Sequence, residues 1–225
     1  MVAIIGPSAV QWFHGIDAIL ELFSFFIAMI IAWQGYKAYR LTQERKYAMF
    51  GGAFFLLGLS FAARMGAEAL IYLEQLREYK EAVLQSESVS TTFFGARFLY
   101  ILVVFLAYVL LTGVSMKLKN RPVMALIFSL LVILATIAHT SPTSVLFHIV
   151  NTLLIGFITG HFLFNYLERR TVTSGLIASA FLMILVESAL MVAGNYNPYL
   201  SIVAYGFRFL GYVLLLSAFI RVTRA

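Results

Sequence analysis

The sequence predicts an all-α integral membrane protein of seven transmembrane helices, and three observations carry that expectation. Hydrophobic residues make up 62% of the 225-residue chain and charged residues 12%, against roughly 45–50% and about 25% in soluble domains. The mean hydropathy is +0.92, which leaves no stretch of useful size for a soluble domain, so one membrane domain over 1–225 accounts for the chain. The apolar residues also fall into seven runs, each close to the ~20 helical residues that a bilayer crossing takes.

The runs cover approximately 13–39, 47–73, 93–117, 122–139, 144–168, 173–194 and 199–222. Before the first stands MVAIIGPSAVQW, without the basic flank of a cleaved signal peptide, so that span is expected to be retained. The second should continue as a helix past the membrane through LEQLREYKEAVL, with Arg77 and Glu81 paired at i,i+4 spacing, and SESVSTT then reads as a loop. NRP, HTSPTS and GNYNPY have the turn chemistry of short connections. Within the spans, Gly58, Ala62 and Gly66 recur at four-residue spacing, as do Thr152, Gly156 and Gly160, with His148 one step further along. Such small-residue seams let helices approach closely.

The basic residues set the orientation. Lys37, Arg40, Arg45 and Lys46 flank the first connection. Lys117, Lys119 and Arg121 mark the third, Arg169 and Arg170 the fifth, and Arg221 and Arg224 the C-terminus, which places eleven of the 16 on one side. The opposite loops carry Arg77 and Lys80 among Glu74, Glu78, Glu81 and Glu87. The N-terminus is therefore expected outside and the C-terminus in the cytoplasm, in a multi-pass protein of the cell membrane. The net charge of +6 reads as a topology signal with some attraction to anionic headgroups, not as a nucleic-acid footprint. The chain has no cysteine, which excludes disulfides, thiolate metal sites and a cysteine nucleophile.

Two segments repeat each other. FGARFLYILVVF (94–105) and YGFRFLGYVLLL (205–216) share aromatic-Gly-x-Arg-Phe-Leu. Working backwards, YRLTQERKY from Tyr39 faces YLERR from Tyr166, and FFLLGLSFA from Phe54 faces AFLMILVES from Ala180. Two halves, 11–118 and 143–225, would then flank a connector helix at 122–139 that holds no ionisable residue between Val123 and Ala138. Parallel repeats about an axis along the membrane normal are a known transporter design. The competing view is that membrane helices rich in Leu, Phe and Ala resemble one another anyway, and only the arginine motif is specific.

In layout, this three-one-three arrangement with an external N-terminus resembles the SWEET sugar transporters and the KDEL receptor. It departs from the proline-glutamine signature of that superfamily, since neither Pro7, Pro122, Pro142 nor Pro198 adjoins a Gln. The chain is also similar to the seven-span sensor modules of prokaryotic receptors, which strew Glu, Arg and His through their spans. Neither likeness carries a residue-level motif, so no site residue is transferred from it.

The candidate site rests on charge. Ionised side chains inside a span cost roughly 2.5–3.5 kcal/mol each on insertion scales and face a cavity or a partner. Asp17 and Glu21 stand in the first span, Arg64 and Glu68 in the second, Arg97 in the third, Glu187 in the sixth and Arg208 in the seventh. Counted by helical rise, Glu21, Arg64, Glu187 and Arg208 fall near the midplane on its outer side, with Asp17, Glu68, Arg97 and His148 somewhat higher and Asn151 within reach. Arg64 and Glu68 can pair along their own helix. Arginine suits bidentate carboxylates and phosphates, so these nine residues form the expected ligand site. The structural alternative is a buried ion-pair network.

His14, His139 and His148 fall at outer span ends, where three imidazoles could bind Zn²⁺ or Cu²⁺ with Asp17 or Glu21 as a further ligand. No HxxxH or HExxH spacing supports that set. His161 stands without the second axial ligand that a b-type haem takes. The sequence requires no cofactor and assigns no catalytic residue. Several tyrosines near span ends read as interface anchors. The expected function is binding of a small solute or ion in a charged cavity of the outer half, in the form of a small carrier. The alternative is a non-transporting ligand sensor or an accessory subunit with a membrane-protein partner or a second copy of the chain. It rests on the apolar cytoplasmic half, where His161 and Asn165 are the polar exceptions. An intramembrane metal-dependent enzyme, with Ser188 near His148, is a lesser alternative.

Overall fold

A computed structural model describes the backbone of residues 14–78, 87–115, 121–140 and 145–224, and the side chains of 19–66, 95, 98–115, 126–137, 145–197 and 199–221. Among the described residues there are seven helices and no strand: α1 (His14–Thr42), α2 (Arg45–Glu78), α3 (Glu87–Ser115), α4 (Arg121–Thr140), α5 (Val145–Arg169), α6 (Val172–Gly194) and α7 (Pro198–Arg224). Six of them are long and apolar enough to cross a bilayer, over Ile19–Thr42, Arg45–Gly66, Phe98–Ser115, Val145–Arg169, Val172–Gly194 and Tyr199–Arg221. In α4 the described apolar stretch, Leu126–Ile137, is shorter. The chain is thus an all-helical, polytopic membrane protein.

The connections follow from local chemistry. α1 and α2 are separated by Gln43 and Glu44 alone. Gln43 takes a left-handed backbone (φ 57), and its N–H donates to Tyr39 O at 2.8 Å, closing the αL helix stop. Arg170 does the same after α5, with φ 49 and its N–H donating to Tyr166 O at 2.7 Å. Thr171 then caps α6, its hydroxyl accepting from the Ser174 N–H at 3.2 Å. Pro198 opens α7 at the helix position that needs no N–H donor, and Asn197 Oδ1 accepts from the Tyr199 N–H at 3.1 Å.

Two expectations change. α3 begins at Glu87, so most of SESVSTT is helix, not loop. The stretch holds neither Gly nor Pro to break it, and Ser and Thr are well tolerated in first turns. α2 does run beyond its apolar span, to Glu78; the Arg77–Glu81 pair lies outside the described residues. The glycine seams are also only half used. A Cβ on Gly58 would meet Met29 Sδ at 3.0 Å and one on Gly156 would meet Leu185 Cδ1 at 3.6 Å, but Gly66 and Gly160 face no described atom within 4 Å. α1 and α2 approach backbone to backbone, where a Cβ on Gly35 would lie 2.7 Å from Gly51 Cα. α7 meets α6 similarly, since a Cβ on Gly211 would stand 3.0 Å from Ala180 O.

Packing neighbours follow one circuit: α1 on α2, α2 on α3, α3 on α5, α5 on α6, α6 on α7, and α7 back on α1. α4 packs against α3 and α5. The core between the helices is built from Ile27, Ile31, Phe54, Leu57, Phe61, Phe105, Phe147, Phe181, Tyr212 and Leu215, all buried.

Candidate functional site

Helix register decides which charges meet. On α1 and α2, Gly35 stands by Gly51 and Met29 by Gly58. Antiparallel pairing on that register brings Glu21 opposite Arg64. On α6 and α7, Gly194 stands by Ser201 and Ile184 by Gly211, which brings Glu187 opposite Arg208. The circuit closes with α7 beside α1, where the Phe23 and Phe209 rings meet edge-on at 6.1 Å. Four charged residues from four helices therefore share one level.

They form a continuous network. Arg64 Nη1 lies 3.0 Å from Glu21 Oε1, and Arg208 Nη1 donates to the same oxygen at 3.3 Å. Arg208 Nε donates to Glu187 Oε1 at 3.1 Å, and Nη2 donates to that oxygen as well. Arg64 Nη2 donates to the Tyr205 hydroxyl. The Tyr205 ring lies near both guanidiniums, with centroid distances of 5.5 Å to Arg64 Cζ and 5.1 Å to Arg208 Cζ. Phe61 adds a second ring 5.8 Å from Arg208 Cζ. Two acids and two arginines cancel, which is what allows Glu21 (1% exposed), Glu187 (4%) and Arg208 (8%) to be buried. The Arg64 side chain is the accessible member, at 26%.

Asn151 and Ser188 make a neutral chain next to this layer. Asn151 Nδ2 donates to Ser188 Oγ at 2.9 Å. Thr152 Oγ1 donates to His148 O at 2.7 Å, so its 3.0 Å contact with Ser188 Oγ is one in which serine donates. The relay fastens α5 to α6 through the buried Asn151 and Ser188 and the half-buried Thr152. Asn151 Oδ1, also buried, has no hydrogen-bond partner among the described residues. The His148 ring meets Phe147 edge-on at 5.1 Å.

Of the nine residues singled out by sequence, Glu21, Arg64, Glu187 and Arg208 are in mutual contact, while Asn151 and His148 belong to the adjoining α5–α6 contact. The side chains of Asp17, Glu68 and Arg97, and of His14 and His139 in the histidine set, lie outside the described residues. Among the described residues no three His, Cys, Asp or Glu side chains gather as a metal site would need. Tyr205 and Phe61 are not singled out by sequence, while Thr152 is read there only as part of a packing seam and Ser188 only as a candidate nucleophile near His148. Tyr205 had a signal: in aromatic-Gly-x-Arg the aromatic stands three residues before the arginine, on the same helix face. Comparison with known protein families, curated proteins and solved structures finds no match.

The layer can do two things chemically. Its arginines can exchange a glutamate for an incoming carboxylate or phosphate without changing the count of charge-assisted hydrogen bonds. It can also come apart into two neutral Glu–Arg pairs.

Proposed function

We propose that the chain is a seven-span carrier of the cell membrane, with its N-terminus outside, that binds a small solute or ion at the Glu–Arg layer. Its halves are α1–α3 and α5–α7, joined by α4. Support for the halves comes from the packing circuit, which is unchanged when the two triplets are exchanged: α1 on α7 becomes α5 on α3. The left-handed residues Gln43 and Arg170 also stand at matching positions, each four residues after its tyrosine.

The observation that carries the reading is the division of charge. Glu21 and Arg64 belong to one half, Glu187 and Arg208 to the other, so each half's described share of the layer is one acid and one arginine. The Arg208–Glu21 contact at 3.3 Å and the Arg64–Tyr205 hydrogen bond cross between them. Halves that rock apart would strand no buried charge, whereas an unpaired one would cost several kcal/mol. A carboxylate or phosphate solute entering from outside would take over the crossing contacts.

A sensor or accessory role is the second reading, favoured by the apolar block of Ile27, Ile31, Phe54 and Leu57 between this layer and the basic end. Ser24→Cys and Ser188→Cys, both at buried small residues in a chain without native cysteine, separate the two. Labelling by a membrane-impermeant thiol reagent from both faces supports the carrier. Labelling from outside alone supports the sensor. Protection from both faces leaves a fixed ion-pair network and removes both readings.

A further inference from the structure

We propose that the basic end of the bundle holds a site for one anionic phospholipid, independent of the charged layer. A cleft of about 450 Å³ opens between α1, α2, α3 and α7, within the ~300–1,000 Å³ of small-molecule sites. Its α1 lining, Gln34 to Leu41, lies about 20–30 Å from Glu21 along the helix, at ~1.5 Å per residue. Gly35, pressed against Gly51, adds no side chain to the cleft. Ala38, Phe50, Val114 and Phe219 line it as apolar wall, and the Phe50 and Phe219 rings meet at 5.5 Å.

The polar groups of its lining are Gln34, Lys37, Lys46 and the Tyr47 hydroxyl, and the two lysines are its only charges. On the α1–α2 register the two lysines stand within about one helical turn of the same level, beside the short connection. Lys37 is exposed. Lys46 is paired with Glu44, both more than half exposed, and its ammonium stands 4.9 Å from the Tyr47 ring centroid. An exposed pair of this kind is weak, so a phosphodiester can replace Glu44. A water-soluble anion would satisfy the lysines and leave the apolar wall bare. A single acyl chain fills that wall while its phosphate meets the lysines, and basic pockets between membrane helices take anionic headgroups in this way.

Native mass spectrometry of the purified full chain, titrated with phosphatidylglycerol or phosphatidylcholine, tests the site. The first phosphatidylglycerol should bind about tenfold more tightly than phosphatidylcholine, from roughly fivefold or less per lysine. Lys37→Gln/Lys46→Gln should abolish that preference. Ala38→Leu, which fills the cleft, should weaken the first phosphatidylglycerol with both lysines present. Arg169→Gln/Arg170→Gln removes equal charge at the same end, away from the cleft, and should leave binding unchanged. Equal binding of the two lipids overturns the proposal. So does an equal loss in the two double variants, which would mean general attraction to basic charge, or an unaltered first binding in Ala38→Leu. Glycerol phosphate competing as well as the lipid would overturn the acyl-chain assignment.

Discussion

Arg208→Gln tests whether the charged layer is one electrostatic unit divided between two halves. Arg208 meets both glutamates, Glu21 at 3.3 Å and Glu187 at 3.1 Å. Without it Glu21 keeps Arg64 at 3.0 Å, but Glu187, 4% exposed, has no other cation in contact among the described residues. Removing one member of a buried pair costs about 3–5 kcal/mol. At about 2–4 °C per kcal/mol for a chain of this length, Tm should fall by roughly 6–20 °C. The lower end is expected, because glutamine can still donate one hydrogen bond to Glu187. Thermal unfolding in mild detergent, followed by intrinsic fluorescence, measures it. Two double variants then locate the boundary. Glu187→Gln/Arg208→Gln leaves the Glu21–Arg64 pair whole and should recover to within about 2 kcal/mol of the parent, since both charges of one pair are gone. Glu21→Gln/Arg208→Gln leaves Glu187 and Arg64 on different halves and should stay near the single variant. A single variant within about 1 kcal/mol of the parent would refute the buried-pair argument. Equal stability of the two doubles would refute the division into neutral halves.

Tyr205→Phe keeps the ring beside both guanidiniums but removes the acceptor for Arg64, so a loss of about 1.5–3 kcal/mol is expected in the same unfolding assay, as for hydrogen bonds to charged groups. Gly51→Ala forces a methyl to within 3.0 Å of Ala32 O and should destabilise by about 1–3 kcal/mol. Gly160→Ala, with no described atom within 4 Å of its Cβ, should instead raise stability by about 0.5–1 kcal/mol through helix propensity; matched Tm values for the two alanine variants would contradict the packing account. Ser188→Ala breaks the Asn151–Ser188–Thr152 chain and leaves the buried Asn151 amide without its partner. A loss of about 1–3 kcal/mol is expected, read as faster proteolysis between α5 and α6.

Helix ends that depend on local chemistry could be read directly. α6, expected at 173–194, runs Val172–Gly194, and α4, expected at 122–139, runs Arg121–Thr140, because the Thr171 cap, Gly194-Asn195, Pro122 and Pro142 mark those limits. The start of α3 was missed because serine and threonine suit both loops and first turns. The shared level of Glu21, Arg64, Glu187 and Arg208 follows from span length and rise. Their partners do not. The i,i+4 spacing on α2 offers Arg64 a partner in Glu68, whose side chain lies outside the described residues, but no local spacing gives its contact with Glu21 on α1 or says that α7 closes back on α1. The glycine seams misled for the same reason. Four-residue spacing identifies a helix face without saying what packs there, and Gly35 and Gly51 carry no spacing signal within either helix, since they act as a pair between two.

The distances within the layer bear on why the charges are there at all. A buried ion pair is a poor source of stability, since well-packed apolar side chains of similar volume hold a bundle as well or better. Stability alone is therefore a poor account of four such groups on four helices, and the proposed solute binding offers another. Within each half the acid and arginine meet at 3.0 Å and 3.1 Å, whereas the ion pair between halves is longer at 3.3 Å. Arg64 also holds Tyr205 of the opposite half through its hydroxyl, a neutral acceptor that can be given up without stranding a charge. On the proposed reading, the crossing contacts, Arg208–Glu21 and Arg64–Tyr205, are the ones an incoming charged solute would displace.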